Sequence, residues 1–191
     1  MNTKENKPAV KLTLSAMFLA IGLVLPFFTG QIPQIGKMLL PMHIPVLLCG
    51  LICGWQYGLG VGFVLPLLRS MMFQTPTLYP TAVAMAFELA AYGFVIGLLY
   101  WKAKSQNIAV LYRSMILSML AGRAVWGVVQ VILLGVSGSA FTWKMFMTGA
   151  VLNAIPGIIL QLILIPTIMA ALDRTGMVKF SKQNSVQGAE G

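Results

Sequence analysis

Long apolar blocks separated by short polar or Gly- and Pro-rich turns, with lysine and arginine gathered at particular ends, constrain this chain more than any other feature. An α-helix rises about 1.5 Å per residue, so about 20 apolar residues cross a hydrocarbon layer about 30 Å thick. Six such blocks can be read, at residues 12–28, 38–54, 58–73, 81–101, 108–136 and 143–172. Only 9% of residues are charged and 58% are apolar, against roughly 25% charged in a soluble domain. The fold class expected is therefore all-α, an integral membrane bundle of six transmembrane helices. A short segment (1–11) precedes the membrane domain (12–172), and a polar tail without apolar periodicity (173–191) follows it.

The distribution of charge supplies an orientation. With the N-terminus inside, Lys4, Lys7, Lys11, Lys102, Lys104, Arg174, Lys179 and Lys182 are all cytoplasmic, and only Lys37 and Lys144 fall in outer loops. Cationic loops stay on the cytoplasmic side, so both termini are expected there, in a multi-pass protein of the cell membrane. The net charge of +9 belongs to flanks held at the inner leaflet, and no nucleic-acid partner is expected. Lys4, Lys7 and Lys11 ahead of an apolar run imitate a signal peptide, but no convincing small-x-small cleavage site follows, and the run reads as an uncleaved first span.

Several chemistries find no support. Cys49 and Cys53 stand four residues apart in an apolar run with only His43 nearby, which suits core thiols better than a metal site. Residues 30–37, GQIPQIGK, resemble a phosphate loop superficially, but five residues separate the glycines and Met38 stands where Ser or Thr is required. With one histidine, no Ser-His-Asp set and no HExxH, no catalytic residue, enzymatic activity or metal is expected.

Ionisable residues inside a span cost about 2.5–3.5 kcal/mol each at a helix centre, which makes them the most informative positions. They are His43, Arg69, Glu88 and Arg123. Glu88 and Arg123 lie on successive spans with opposite charge; they either pair to fix helix register or line a cavity for a polar ligand. Trp126 and Gln130 follow Arg123 at three and seven residues, so cation, aromatic ring and amide share one helix face. Tyr92 lies one turn from Glu88, and Asn153 on span six completes the candidate set. His43, between Pro41 and Pro45, is expected to satisfy backbone groups freed by a kink, and Arg69 to snorkel toward the outer surface. Small residues recur at four-residue spacing at Gly50, Gly54, Gly58 and Gly62, at Gly93 and Gly97, and at Ala16 and Ala20. Such faces permit close helix packing, within the bundle or against a partner.

A basic N-terminus, AMFLA in span one, a Gly- and Pro-containing first outer loop and then LLPMHIPVLLCGLICGW resemble the S components of energy-coupling factor (ECF) vitamin transporters, over nearly all of the expected membrane domain. The resemblance implies a substrate-capture subunit working with a transmembrane coupling subunit and two ATPases. ATP is then used by those partners, and no cofactor is expected in this chain. It implies that Ala16 and Ala20 pack on the coupling subunit, that Gln31 and Gln34 belong to a loop covering the substrate, and that the substrate lies among spans four to six. MHIPVLLCG resembles S components for the cobalamin precursor α-ribazole, with pantothenate or a pyridoxine-like compound as competitors. A non-transporting membrane scaffold and a stand-alone secondary carrier are the rival readings.

Overall fold

The computed structural model describes residues 8–29, 41–136, 147–148 and 154–174. Among them the regular structure is entirely helical. Six α-helices follow in order: α1 (Pro8–Val24), α2 (His43–Cys53), α3 (Trp55–Phe73), α4 (Val83–Lys102), α5 (Ile108–Val136) and α6 (Ile155–Arg174), with a 3-10 turn at Leu25–Thr29 and a π turn at Leu78–Ala82. Among the described residues, four stretches are long and apolar enough to cross a membrane: Pro8–Phe28, Leu78–Lys102, Ile108–Val136 and Ile155–Arg174. Of the expected second span, Pro41 and Met42 form a turn before α2 and residues 38–40 lie outside the described residues, as does the start of span six near Trp143.

α4 is the axis of the bundle, packing against α2, α3 and α5, while α1 lies on α2 and α3. Glycine makes this arrangement possible. A Cβ on Gly50 would stand 2.7 Å from the Gly93 carbonyl oxygen, one on Gly58 2.7 Å from the Gly50 Cα, and one on Gly93 would run into the Gly58 backbone. The four-residue glycine pattern of α2, α3 and α4 thus serves packing within the bundle, where close backbone approach replaces the hydrophobic drive absent in lipid.

The turn expected at residues 55–57 is shorter than its aromatic composition suggests. α2 ends at Cys53 and α3 begins at Trp55, and Gly54, at φ 106°, makes the whole break by adopting a backbone that L side chains avoid. Trp55, Gln56 and Tyr57 form the first turn of α3. Asn107 starts α5 by accepting the Val110 N–H on Oδ1 at 2.9 Å, a side-chain N-cap. Side chains also tie helices together: the Trp101 indole donates to the Leu51 carbonyl at 3.0 Å, and Tyr112 to the Leu162 carbonyl at 3.2 Å. Cys49 and Cys53 are buried free thiols, and the Cys49 Sγ donates to Ser15 at 3.6 Å.

Arg69 departs from expectation. Instead of snorkelling it is 4% exposed, and its Nη1 donates to the Leu23 carbonyl at 2.5 Å. Phe27 and Phe73 lie 5.1 Å and 5.4 Å from its guanidinium. α1 gives way to a 3-10 turn here, leaving C-terminal carbonyls without intrahelical donors. Arg69 satisfies one of them, and aromatic faces stabilise its charge.

Candidate functional site

The site begins with a missing side chain. Gly122 lets α5 close on the Tyr92 ring of α4, where a Cβ would stand 2.5 Å from Tyr92 Cε2. The next residue, Arg123, is thereby brought beside Glu88, one turn before Tyr92, with Nη1 2.8 Å from Glu88 Oε1. From the start of α2, His43 places Nε2 3.6 Å from the same oxygen and stands edge-on to Tyr92 at 5.0 Å. Three helices thus converge on a carboxylate that is 2% exposed, in a bundle where His43 and Tyr92 are each 1% exposed.

The geometry leaves this cluster under-satisfied. The Arg123–Glu88 contact has an ion-pair distance, yet Glu88 Oε1 receives no aligned hydrogen bond. Both His43 ring nitrogens, Nε and Nη2 of Arg123, and Oε1 of Gln130 are buried without a hydrogen-bond partner. An unmet buried polar group costs roughly 1–3 kcal/mol, and native interiors keep such groups few. An ion pair that served only helix register would gain little from so many open valences. A polar molecule entering among α2, α4 and α5 would meet them.

The structure therefore brings together Glu88, Tyr92 and Arg123, with half-buried Trp126 and buried Gln130 one and two turns farther along α5. Gln31, Gln34 and Asn153 lie outside the described residues. The sequence reading gave His43 the wrong partners. It satisfies no backbone group and instead completes the charged cluster. Its signal in the sequence is its place among the ionisable residues within the spans, a stronger mark than the two prolines beside it.

Surface recesses lie away from the cluster. One is an open apolar groove lined by Ala20, Ile21, Val24, Leu25 and Phe28. Another, at the opposite end of the bundle, is lined by Lys11, Cys53, Trp55, Tyr57 and Trp101 among others. The polar atoms of the cluster, by contrast, are enclosed within the bundle.

A family model for the ECF transporter substrate-specific component matches residues 10–169. The chain belongs to that family. The S component described here is thus a membrane-embedded transporter subunit, a class that captures substrate for an ECF transporter and associates with coupling and ATPase subunits. Comparison with curated proteins and with solved structures returns no match. The match takes in all six helices apart from the first two residues of α1 and the last five of α6, and with them the whole Glu88–Arg123 cluster.

Proposed function

We propose that this S component captures a vitamin or vitamin precursor from outside the cell and delivers it to an ATP-driven ECF module. It does so as a six-span protein of the cell membrane with both ends in the cytoplasm. The observation that carries the reading is the group of enclosed polar atoms without a hydrogen-bond partner on His43, Arg123 and Gln130, gathered around the Glu88–Arg123 ion pair. Tyr92 and Trp126 supply aromatic surface beside them, and Gln31, Gln34 and Asn153 are assigned to the same site. The combination suits a small molecule with a few polar groups set in an apolar wall.

Ala16 and Ala20 are exposed on α1, beside Met17, Ile21 and Val24, which are also exposed. This smooth apolar strip is assigned to the transmembrane coupling subunit. Two ATPases supply energy, and the chain itself carries no cofactor. A subunit without an energy source cannot concentrate its substrate. Capture therefore rests on binding strength, and release on a partner that favours a second conformation.

The test is thermal unfolding of the purified protein against α-ribazole, pantothenate, pyridoxine, riboflavin and folate, because a ligand selective for the folded state raises apparent stability. One compound is expected to raise the unfolding temperature, and Glu88→Gln and Arg123→Ala to abolish the rise while remaining folded. A flat panel, with unchanged stability in both variants, would point to a scaffold. The sequence resemblance puts α-ribazole first, whereas the geometry of Arg123 favours an acid.

A further inference from the structure

A guanidinium presents two edges able to grip paired oxygens, and the edge formed by Nε–H and one Nη–H group matches the two oxygens of a carboxylate. In Arg123, Nη1 is committed to Glu88 at 2.8 Å, while Nε and Nη2, which together make that side-on edge, are buried with no partner. The Tyr92 hydroxyl is a side-chain neighbour of Arg123 close enough to interact with it, but it does not meet Nε or Nη2 with hydrogen-bond geometry. Gln130 lies seven residues farther along α5, which places it on the same face about 10 Å away. Its Oε1, an acceptor, is also buried and unpartnered.

We infer that the side-on edge of Arg123 binds a carboxylate of the transported molecule, and that Gln130 Oε1 accepts a hydrogen bond from a donor at that molecule's other end. The inference rests on the capture reading above and narrows its substrate to an elongated acid bearing a distal hydroxyl or N–H. Charge agrees: among the described residues, the charged side chains of the bundle interior are Arg69, Arg123 and Glu88, two cations to one anion. A monocarboxylate evens that balance, whereas a doubly charged phosphate overshoots it. A neutral lactam or imide edge, which alternates donor and acceptor, mismatches two parallel donors. Arg69 is not a competing anchor, since it is engaged by the Leu23 carbonyl and two aromatic rings.

The test compares acids with their neutral counterparts on the purified full chain: pantothenate with panthenol, nicotinate with nicotinamide, 4-pyridoxate with pyridoxine, and α-ribazole alone. Isothermal titration and thermal unfolding give the readout. One acid should bind at least about a hundredfold more tightly than its neutral partner, the loss of a charged bidentate contact being worth that much in a buried site. Arg123→Lys, which keeps the charge but not the fork, should weaken the acid about tenfold or more, and Gln130→Leu should also weaken it. Tighter binding of α-ribazole or any neutral partner overturns the inference while leaving the capture function standing. Binding of no acid overturns it as well, and this wild-type comparison requires no variant to fold. The capture function fails separately if the chain does not associate with ECF coupling and ATPase subunits, whichever compound binds.

Discussion

His43, Glu88 and Arg123 occupy positions where side chains are expensive to place, and their geometry separates two kinds of cost. His43 makes no hydrogen bond, with both ring nitrogens buried and unmet. His43→Phe should therefore leave the unfolding temperature in the absence of ligand unchanged or raised, while weakening ligand binding about tenfold or more. A large loss of stability without ligand would give His43 a structural role instead. Arg69 should behave in the opposite way. Arg69→Met removes the donor to the Leu23 carbonyl and should lower stability by about 1–3 kcal/mol with little change in affinity, measured by thermal unfolding and titration of the same preparation. The identities of these residues were legible in the sequence, because ionisable groups in apolar spans stand out without knowledge of the fold. Their partners were not: Arg69 meets a carbonyl 46 residues away, and hydropathy carries no information about which backbone group a distant helix end leaves open.

The helices themselves were largely readable from apolar length and punctuation, and the differences lie where one residue does the work of a loop. Gly54 alone separates α2 from α3, and its positive φ is invisible to a pattern that sees aromatic residues as a turn. Gly54→Ala should cost about 1 kcal/mol or more by forcing a Cβ into that backbone region, although its surroundings offer open space. Gly93→Ala should be worse. Its new methyl would meet the Gly58 backbone and force α3 away from α4, costing more than about 2 kcal/mol. Thermal unfolding of the two variants side by side checks the order. Equal effects would mean that helix approach at Gly93 is looser than the structure places it. The four-residue glycine spacing announced close packing but not its partner. The site, likewise, depends on Gly122 admitting the Tyr92 ring, a contact between helices that sequence spacing does not encode.

At the scale of the whole molecule, the interior of the bundle holds an enclosed polar cluster and one flank of α1 presents an apolar strip around Ala16 and Ala20. Capture and coupling should therefore separate by mutation. Replacing Ala16 and Ala20 together with Leu should leave ligand-induced stabilisation intact and abolish co-purification with the coupling subunit, because bulky side chains prevent close helix approach. Loss of both properties together would place those alanines inside the bundle's own packing. The central claim is that this chain captures substrate and that partner subunits drive its uptake. It is tested most directly in proteoliposomes, by following the radiolabelled compound that most stabilises the purified protein. The account predicts ATP-dependent accumulation only when the coupling and ATPase subunits are reconstituted with this chain, and none when any of the three is left out. Accumulation by this chain alone along an ion gradient would contradict it and make the protein a self-sufficient carrier.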